Sequence, residues 1–256
     1  MKVFLSALEN GSTCYNSKKP LAEYLLENGI KLKYNLMSYY YIKNKTDLAE
    51  LIRNNSEEVL IDSGAHSFQK GKKVDWDRYT QDYAEFIKKF DRPNVIGYFE
   101  MDVDNIIGYD KVKELRKVLE KVTDKIIPVW HKNRGIEEYK KMCRDYNGKI
   151  VAITGFKNED IKDEQYLMFL KYAKKYNCKV HCLGMTRRKV LDKVPFDYVD
   201  SSSWKQGGIY GRIDGIGKVS KTFSKVKREV VFLKNYENGI KLQEYYYEKW
   251  RKVNKD

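Results

Sequence analysis

The sequence of 256 residues lacks long apolar runs, has few cysteines and contains none of several familiar catalytic motifs. Its longest apolar stretches have only strand length, which excludes a membrane-spanning helix. No apolar leader segment follows Met1, so a cytoplasmic location is expected. The four cysteines show no CxxC spacing, which argues against disulfides and a zinc site. The absence of GxSxG, HExxH and Walker patterns argues against serine hydrolases, zinc proteases and P-loop NTPases.

What the chain does have is positive charge, with a formal net charge of +14. Residues 205–256 carry 13 basic and 6 acidic side chains, a net charge of +7 (13 − 6) and half of the excess. Such a charge favours a polyanionic partner, and the segment has no clean lipid-binding face, so nucleic acid is favoured over a membrane. A lysine-rich surface without a specific partner is the alternative.

Strand-like and helical patterns alternate along the chain. Strands are predicted at 2–7, 34–41, 58–63, 94–101, 125–130, 149–154, 179–184 and 196–201. Helices are predicted at 19–28, 47–54, 75–90, 109–122, 136–146, 163–176, 187–193 and around 240–251. Eight strands separated by helices imply parallel pairing with right-handed crossovers. A doubly wound sheet is the competitor, but the first strand is followed by a poor glycine-rich turn.

The predicted fold is therefore a TIM (β/α)8 barrel that forms a single domain. Residues 1–204 are expected to form the catalytic barrel. Residues 205–256 are expected to add a basic loop and a C-terminal helix that packs on it. Residues just past the carboxyl ends of the strands converge on one mouth of such a barrel. Three carboxylates and an imidazole occupy these positions, namely Asp62, Asp102, Asp200 and His131. Carboxylates gathered in this way indicate acid–base or nucleophilic chemistry at a sugar.

The ordered motifs at these strand ends are similar to those of a known enzyme family. The motifs are Asp62-Ser63-Gly64-Ala65, Glu100-Met101-Asp102, Ile127-Pro128-Val129-Trp130-His131, Ala152-Ile153-Thr154-Gly155-Phe156, Cys182-Leu183-Gly184 and Phe196-Asp197-Tyr198-Val199-Asp200-Ser201. Together they resemble the tRNA-guanine transglycosylase superfamily, and within it most of all the compact virus-encoded 7-deazaguanine DNA transglycosylases. The resemblance spans residues 58–204.

The resemblance implies a role for each motif. Asp200 would be the nucleophile that displaces guanine from C1′ of a nucleotide, and Asp62 the general acid/base. Asp102 would read the N1–H and amino edge of the purine. The base site would be completed by Ser63, Gly64, Phe68, Trp130 or His131, Gly155, Leu183 and Gly184. No cofactor or metal is implied.

The departures from the family pattern concern the C-terminal part and the base site. No cysteine follows Cys182, so the zinc subdomain of the tRNA enzymes, and the dimer that it supports, are not expected. The family's glutamine at the base is also absent. DNA is therefore the expected partner, tRNA the alternative, and a 7-deazaguanine such as preQ0 or preQ1 the incoming base. Candidate contacts to the nucleic-acid backbone are Lys205, Arg212, Lys218, Lys221 and Lys225.

Simpler interpretations stand beside each of these roles. Asp-Ser-Gly is also an ordinary turn, and Asp104 competes with Asp102 as the strand-end carboxylate. His131 fits a structural hydrogen bond, and His181 is expected in the core or barrel wall. Two other functions remain open: a catalytically silent barrel that binds nucleic acid through its basic tail, and a hydrolase of small glycosides or nucleosides. The second would leave the charge of +14 without a purpose.

Overall fold

The computed structural model describes residues 1–10, 19–68, 74–154, 161–213, 216–218 and 228–254. Eight parallel strands form the barrel: β1 (Lys2–Ser6), β2 (Leu32–Ser38), β3 (Ser56–Asp62), β4 (Val95–Phe99), β5 (Ile126–Ile127 and Val129–Trp130), β6 (Ile150–Thr154), β7 (Lys179–Leu183) and β8 (Tyr198–Ser201). Every predicted strand is present. The order of pairing follows the chain, and β1 pairs with β8. The predicted TIM-barrel α/β fold is confirmed.

The barrel closes through β5, which Pro128 divides into two short pieces. Ile126 and Ile127 pair with β4, whereas Val129 and Trp130 pair with β6. Proline interrupts a ladder because it has no backbone N–H to donate. The next donor along the strand, the N–H of Val129, is bound by the carboxylate of Glu100, whose Oε1 accepts its hydrogen bond at 2.8 Å. β5 thus changes its partner from β4 to β6, and the N–H of Val129 still has an acceptor.

Helices connect the strands on the outside of the barrel. They are α1 (Leu21–Glu27), α2 (Tyr39–Ile42), α3 (Thr46–Asn55), α4 (Trp76–Phe90), α5 (Asp104–Ile107), α6 (Tyr109–Glu120), α7 (Gly135–Asp145), α8 (Tyr166–Lys174), α9 (Arg188–Leu191), α10 (Ser203–Ile209) and α11 (Arg228–Trp250). Helix α4 shows why these segments fold as they do. Its buried residues Tyr79, Tyr83 and Ile87 recur every four positions and face the barrel. Asp75 caps the N-terminus of the helix, because its side chain accepts a hydrogen bond from the N–H of Arg78 at 2.9 Å.

Two predicted boundaries are wrong. The strand expected at 34–41 ends at Ser38, and residues 39–41 begin the short helix α2. Tyr39 fits there because its ring packs against Tyr79 and Tyr83 of α4, so tertiary packing overrides the strand preference of aromatic residues. The last helix, expected around 240–251, already includes Arg228 and has 23 residues.

Helix α11 packs on the outer side of β1 and β2. The buried amide of Gln243 donates to the backbone oxygens of Val3 and Tyr34, both at 2.8 Å. Tyr236 donates to Asn35 at 2.7 Å, also in a buried position. Residues before α11 form α10 and a small antiparallel hairpin of β9 (Arg212–Ile213) and β10 (Gly217–Lys218). In the described part of the chain, no helix is long and apolar enough to cross a membrane.

The inside of the barrel is filled by side chains that alternate with outward-facing ones along each strand. They include Phe4, Leu60, Phe99, Val129 and Tyr198. Phe4 is fully buried, and its ring lies 5.7 Å from that of Tyr34 and 6.0 Å from that of Tyr198. The interior is therefore a packed core, and a ligand can enter only at a mouth.

Replacing Phe4 with alanine should lower the free energy of unfolding by about 3–5 kcal/mol, because it opens a cavity in the middle of the barrel. Urea unfolding followed by circular dichroism measures the change. The control is Leu167→Ala, whose side chain is 51% exposed. It should cost less than about 1 kcal/mol. Equal effects of the two variants would contradict the packing described for the interior.

Candidate active site at the carboxyl ends of the strands

Asp200 lies near the end of β8 and is held by three donors from neighbouring strands. Its Oδ1 accepts a hydrogen bond from the N–H of Gly184 at 2.8 Å and lies 2.9 Å from Nε2 of His181. Its Oδ2 accepts a longer hydrogen bond, 3.3 Å, from the hydroxyl of Ser6. The side chain is 15% exposed. The carboxylate is thus fixed in direction while keeping contact with the mouth.

His181 was expected in the core, and its imidazole is indeed completely buried. Its ring lies between barrel residues, edge-on to Phe99 at 5.1 Å and stacked on Tyr198 at 6.4 Å. The contact with Asp200 gives this core residue a second role, which the sequence analysis missed. The alternation of side chains along a strand could have indicated this contact. His181 and Leu183 of β7 point to the same side, and β7 lies next to β8, which carries Asp200.

Asp62 ends β3 and begins the predicted Asp-Ser-Gly turn. It is half-buried, and its Oδ2 accepts a hydrogen bond from the N–H of Gly64 at 2.9 Å. Gly64 has φ +74, and a Cβ there would lie 2.4 Å from Cβ of Tyr40 and 2.7 Å from Oγ of Ser38. Only glycine fits this position, for both backbone and steric reasons. The turn therefore presses the end of β3 against the end of β2.

Asp102 follows β4 and forms a pair with His131, which follows β5. The carboxylate is 5% exposed, and its Oδ1 lies 2.5 Å from Nε2 of His131. Burial lowers the pKa of His131, but the hydrogen bond and the charge of Asp102 outweigh burial, so that the pKa is raised above its ordinary value. Asp102 therefore keeps the second proton on His131 up to a higher pH than an ordinary imidazole would keep it.

Asp104 is tied to a different cation and does not replace Asp102. Its Oδ2 accepts a hydrogen bond from Nε of Arg134 at 3.0 Å. Arg134 also lies near Glu100, which is fully buried and pairs with Arg116. Glu100 is thus part of the barrel framework, whereas Asp102 and Asp104 face the end of the barrel.

Asp102, Asp104 and His131 could hold a metal ion on distance alone, since one ligand atom of each lies within 4.8 Å of the others. Their chemistry fits a metal poorly. A metal needs a neutral imidazole, whereas the pKa of His131 is raised by Asp102. Arg134 adds a positive charge to the same cluster through Asp104. The donors present thus favour an internal ion-pair network over a cation site.

Glu9, in the loop after β1, is a titratable group that the sequence analysis did not single out. It is 2% exposed, and its Oε1 accepts a hydrogen bond from the N–H of Ser38 at 3.1 Å. Among the described residues, no donor reaches Oε2. Burial, and to a small extent the charge of Asp62, raise the pKa of Glu9 to about 7, although the backbone N–H groups of Ser38 and of Glu9 itself and the charge of Lys205 lower it. No sequence pattern marks such a residue, because its burial depends on how the loop folds back.

The remaining predicted base-site residues divide into two groups. Leu183 is half-buried and packs on the top of the barrel interior, next to Gly184, whose N–H bonds Asp200. The rings of Phe68 and Trp130 pack elsewhere. Phe68 contacts Tyr40, Trp76 and Tyr79, and Trp130 lies between the barrel and helices α7 and α8, where it donates to the backbone oxygen of Gly135 at 2.8 Å. Of Trp130 and His131, His131 is therefore the one that contacts Asp102.

The two remaining predicted base-site residues add no contact to the site. The hydroxyl of the buried Ser63 has no partner among the described residues, and Gly155 lies outside them.

The predicted backbone contacts are described only in part. Lys205 directs its ammonium to the backbone oxygens of Ala7, at 2.8 Å, and of Asn10. Burial lowers the pKa of Lys205 despite the opposing charge of Glu9. Arg212 is exposed on β9 opposite Lys218 of β10. Lys221 and Lys225 lie outside the described residues.

Glu9→Gln should make the protein less sensitive to alkaline destabilisation. The folded-state pKa of Glu9, about 7, lies above its ordinary value of 4.5. Glu9 therefore contributes its full stability below pH 4.5, and this is lost as the pH rises through 7. Between pH 4.5 and 8, the variant should gain about 3 kcal/mol relative to the wild type. Urea titrations at both pH values measure this difference, and a constant difference would contradict the raised pKa.

Comparisons with known proteins support the fold but do not identify a function. No family model and no curated protein matches the chain. A crystal structure of D-psicose 3-epimerase with D-tagatose from Clostridium cellulolyticum H10 is similar, with a TM-score of 0.50, 13% identity, and coverage of 96% of this chain and 99% of that one. A protein from Aquifex aeolicus VF5 gives a TM-score of 0.45, with 12% identity over 92% and 93% of the two chains. At this identity the likeness to the epimerase shows a shared barrel fold alone.

Proposed function

We propose that the protein is a pentosyltransferase that exchanges guanine for a 7-deazaguanine base in DNA. In the first half of the reaction, a carboxylate oxygen of Asp200 bonds to C1′ as the bond from C1′ to N9 of guanine breaks. In the second half, N9 of the incoming base bonds to C1′ and the bond to Asp200 breaks. Two displacements at one carbon retain its stereochemistry.

The observation that carries the proposal is how Asp200 is held. Two donors bind Oδ1 at 2.8 and 2.9 Å, whereas Oδ2 accepts one longer hydrogen bond from Ser6. Oδ2 is therefore the less stabilised oxygen and the better nucleophile. The donors on Oδ1 keep the group oriented for attack, which replaces a random encounter by a fixed approach.

The pair of Asp102 and His131 supports guanine as the base that leaves. A carboxylate accepts hydrogen bonds from the N1–H and the amino group of guanine, and it would repel the acceptor N1 of adenine. His131, which follows β5, holds the carboxylate of Asp102 in place through a hydrogen bond. Asp62 ends the neighbouring strand β3, and we assign it the exchange of protons with the base.

A polynucleotide substrate is supported by charge. The formal net charge of +14 attracts phosphates from a distance, and a small nucleoside would not require it. A base in a duplex must leave its stack to reach the mouth of a barrel whose interior is already filled. DNA is proposed over tRNA because residues 183–256 contain no cysteine, the ligand type on which the zinc site of the tRNA enzymes depends.

Asp200→Asn should abolish base exchange, because an amide cannot form the bond to C1′. We expect the rate to fall by at least about 1000-fold. Incorporation of radiolabelled guanine into DNA and into tRNA measures it, and denaturing gels of enzyme incubated with DNA test for a covalent adduct. Wild-type enzyme should give the adduct and Asp200→Asn should not.

The control for this experiment is Asp110→Asn, whose side chain is 95% exposed on α6. It should exchange bases at the wild-type rate. Labelling of tRNA alone would overturn the choice of DNA. Full activity of Asp200→Asn would overturn the assignment of the nucleophile.

Removal of divalent metal should leave the exchange rate unchanged, because Asp102 and Asp104 are already neutralised by His131 and Arg134. The measurement is the same labelling assay after dialysis against EDTA, with and without added Mg²⁺, Mn²⁺ or Zn²⁺. Loss of activity that returns with one of these ions would assign Asp102, Asp104 and His131 to a metal centre.

A further inference from the structure

His181 is a polar side chain in the apolar interior of the barrel. It is completely buried, and its ring centroid lies 5.1 Å from that of Phe99 and 6.4 Å from those of Phe4 and Tyr198. A buried polar ring is unfavourable unless it is hydrogen-bonded, so packing alone would favour an apolar residue here. Among the described residues, its hydrogen-bond partner is Asp200, whose Oδ1 lies 2.9 Å from Nε2.

The surroundings of the two ring nitrogens decide where the proton of His181 lies. Oδ1 of Asp200 already accepts the N–H of Gly184 at 2.8 Å, and a nitrogen without a proton would oppose its lone pair to that oxygen. Nε2 therefore carries a proton. Nδ1 is buried and has no partner among the described residues, so a second proton there would be an unpaired donor on a charged ring. His181 is thus a neutral imidazole that donates from Nε2.

The hydrogen bond from His181 falls on the oxygen of Asp200 that does not attack. When Oδ2 bonds to C1′, Oδ1 becomes the carbonyl oxygen of a glycosyl ester. The donors on Oδ1, from His181 and Gly184, then face a neutral carbonyl group. A hydrogen bond to an ionised acceptor is roughly twice as strong as one to a neutral acceptor. These two donors therefore stabilise the free carboxylate more than the ester.

We propose that His181 is a positioning residue that makes Asp200 a good leaving group in the second half of base exchange. The inference rests on the proposed function, and His181 acts through Oδ1 without touching the substrate. N9 of the incoming base bonds to C1′ as the bond from C1′ to Oδ2 breaks, and the electron pair of that bond goes to the carboxylate. Nε2–H binds the charge that develops on Oδ1. The proton that N9 loses goes to Asp62, which gave one to the departing guanine in the first half.

Loss of this donor should have a different effect from loss of structure. A displaced Asp200 would attack C1′ poorly, so less of the covalent adduct between enzyme and DNA would form. Removal of a donor that prefers the free carboxylate instead shifts the equilibrium toward the ester and slows its breakdown. The adduct should therefore accumulate.

The test compares the adduct in wild type, His181→Leu, His181→Met and His181→Gln on denaturing gels. DNA is saturating, and guanine is added until only a minor fraction of the wild-type enzyme is in the adduct. Leucine and methionine lack a donor, whereas the amide of glutamine can donate from near the position of Nε2. We expect the ratio of adduct to free enzyme to rise about 10-fold in the first two variants and to stay within about 3-fold of wild type in His181→Gln. Decay of the adduct after addition of excess guanine should slow in the same two variants.

Phe99→Leu is the control for packing. It changes the wall against which His181 lies and leaves the donor in place, so its adduct ratio should equal that of wild type. A second measurement needs no substrate. Nitrogen NMR of wild-type protein labelled with ¹⁵N-histidine should show Nε2 protonated and Nδ1 unprotonated at pH 7. The chain has three histidines, and the signal that disappears in His181→Gln identifies the residue.

The outcomes separate this inference from the proposed function. An adduct ratio at or below that of wild type in both His181→Leu and His181→Met would overturn the role of His181 alone, and so would an equal rise in Phe99→Leu. A doubly protonated His181 at pH 7 would overturn the neutral donor. Absence of exchange on both DNA and tRNA by wild type would overturn the proposed function, and this inference with it.

Discussion

The candidate site depends on the closure of the barrel at Pro128. An open sheet of the same eight strands would spread their carboxyl ends along a line, whereas closure brings β3, β4 and β8 around one mouth. Closure requires β5 to pair on both sides, although Pro128 cannot donate a hydrogen bond to a neighbour. The strand therefore pairs with β4 before Pro128 and with β6 after it, and Glu100 accepts the hydrogen bond of the N–H of Val129 at the point of change.

The charge of Glu100 is itself neutralised within the barrel wall. Arg116 bonds one oxygen of Glu100, and Arg134 lies 3.6 Å from the other. Removing one partner of such a buried pair leaves an uncompensated charge, which costs about 3–5 kcal/mol. Arg134 also donates a hydrogen bond to Asp104. The charged groups around Glu100 are thus connected to the carboxylates at the mouth. The framework and the site are therefore one electrostatic network on this side of the barrel.

Three acidic groups at the mouth are stabilised in three different ways, and the differences indicate different tasks. Asp200 receives directional hydrogen bonds, which suit an anion that must attack a carbon. Asp102 is held by a hydrogen bond to His131, whose pKa it raises, and this suits a fixed hydrogen-bond acceptor. Glu9 is buried with a pKa of about 7, which suits a group that gains and loses a proton. Environments that separate the ionisation of neighbouring acids are the usual basis of acid–base chemistry.

The sequence predicted the barrel and the strand-end acids well because both depend on local patterns. Strands of β-branched and aromatic residues followed by Asp62, Asp102 and Asp200 can be recognised one segment at a time. Residues whose role depends on distant contacts could not be found in this way. Glu9 is buried by Ser38 and Lys205, which lie far apart in the chain, and His181 meets Asp200 only when β7 and β8 pair. The helix at 39–42 was missed for the same reason, since packing on α4 decides it.

Lys205 illustrates how a basic residue near the proposed nucleophile can stabilise the site without touching a phosphate. It follows β8 closely, and position in sequence alone favours a contact with the substrate backbone. Its ammonium instead binds the backbone oxygens of Ala7 and Asn10, and so holds the loop of Glu9 against α10. The proposed attraction of a polyanion would then depend on the summed field of the remaining charges, which acts over about 10 Å at moderate salt and needs no fixed contact. Because Lys205 is engaged in this way, the proposed binding of nucleic acid would depend on other basic residues than the one that organises this loop.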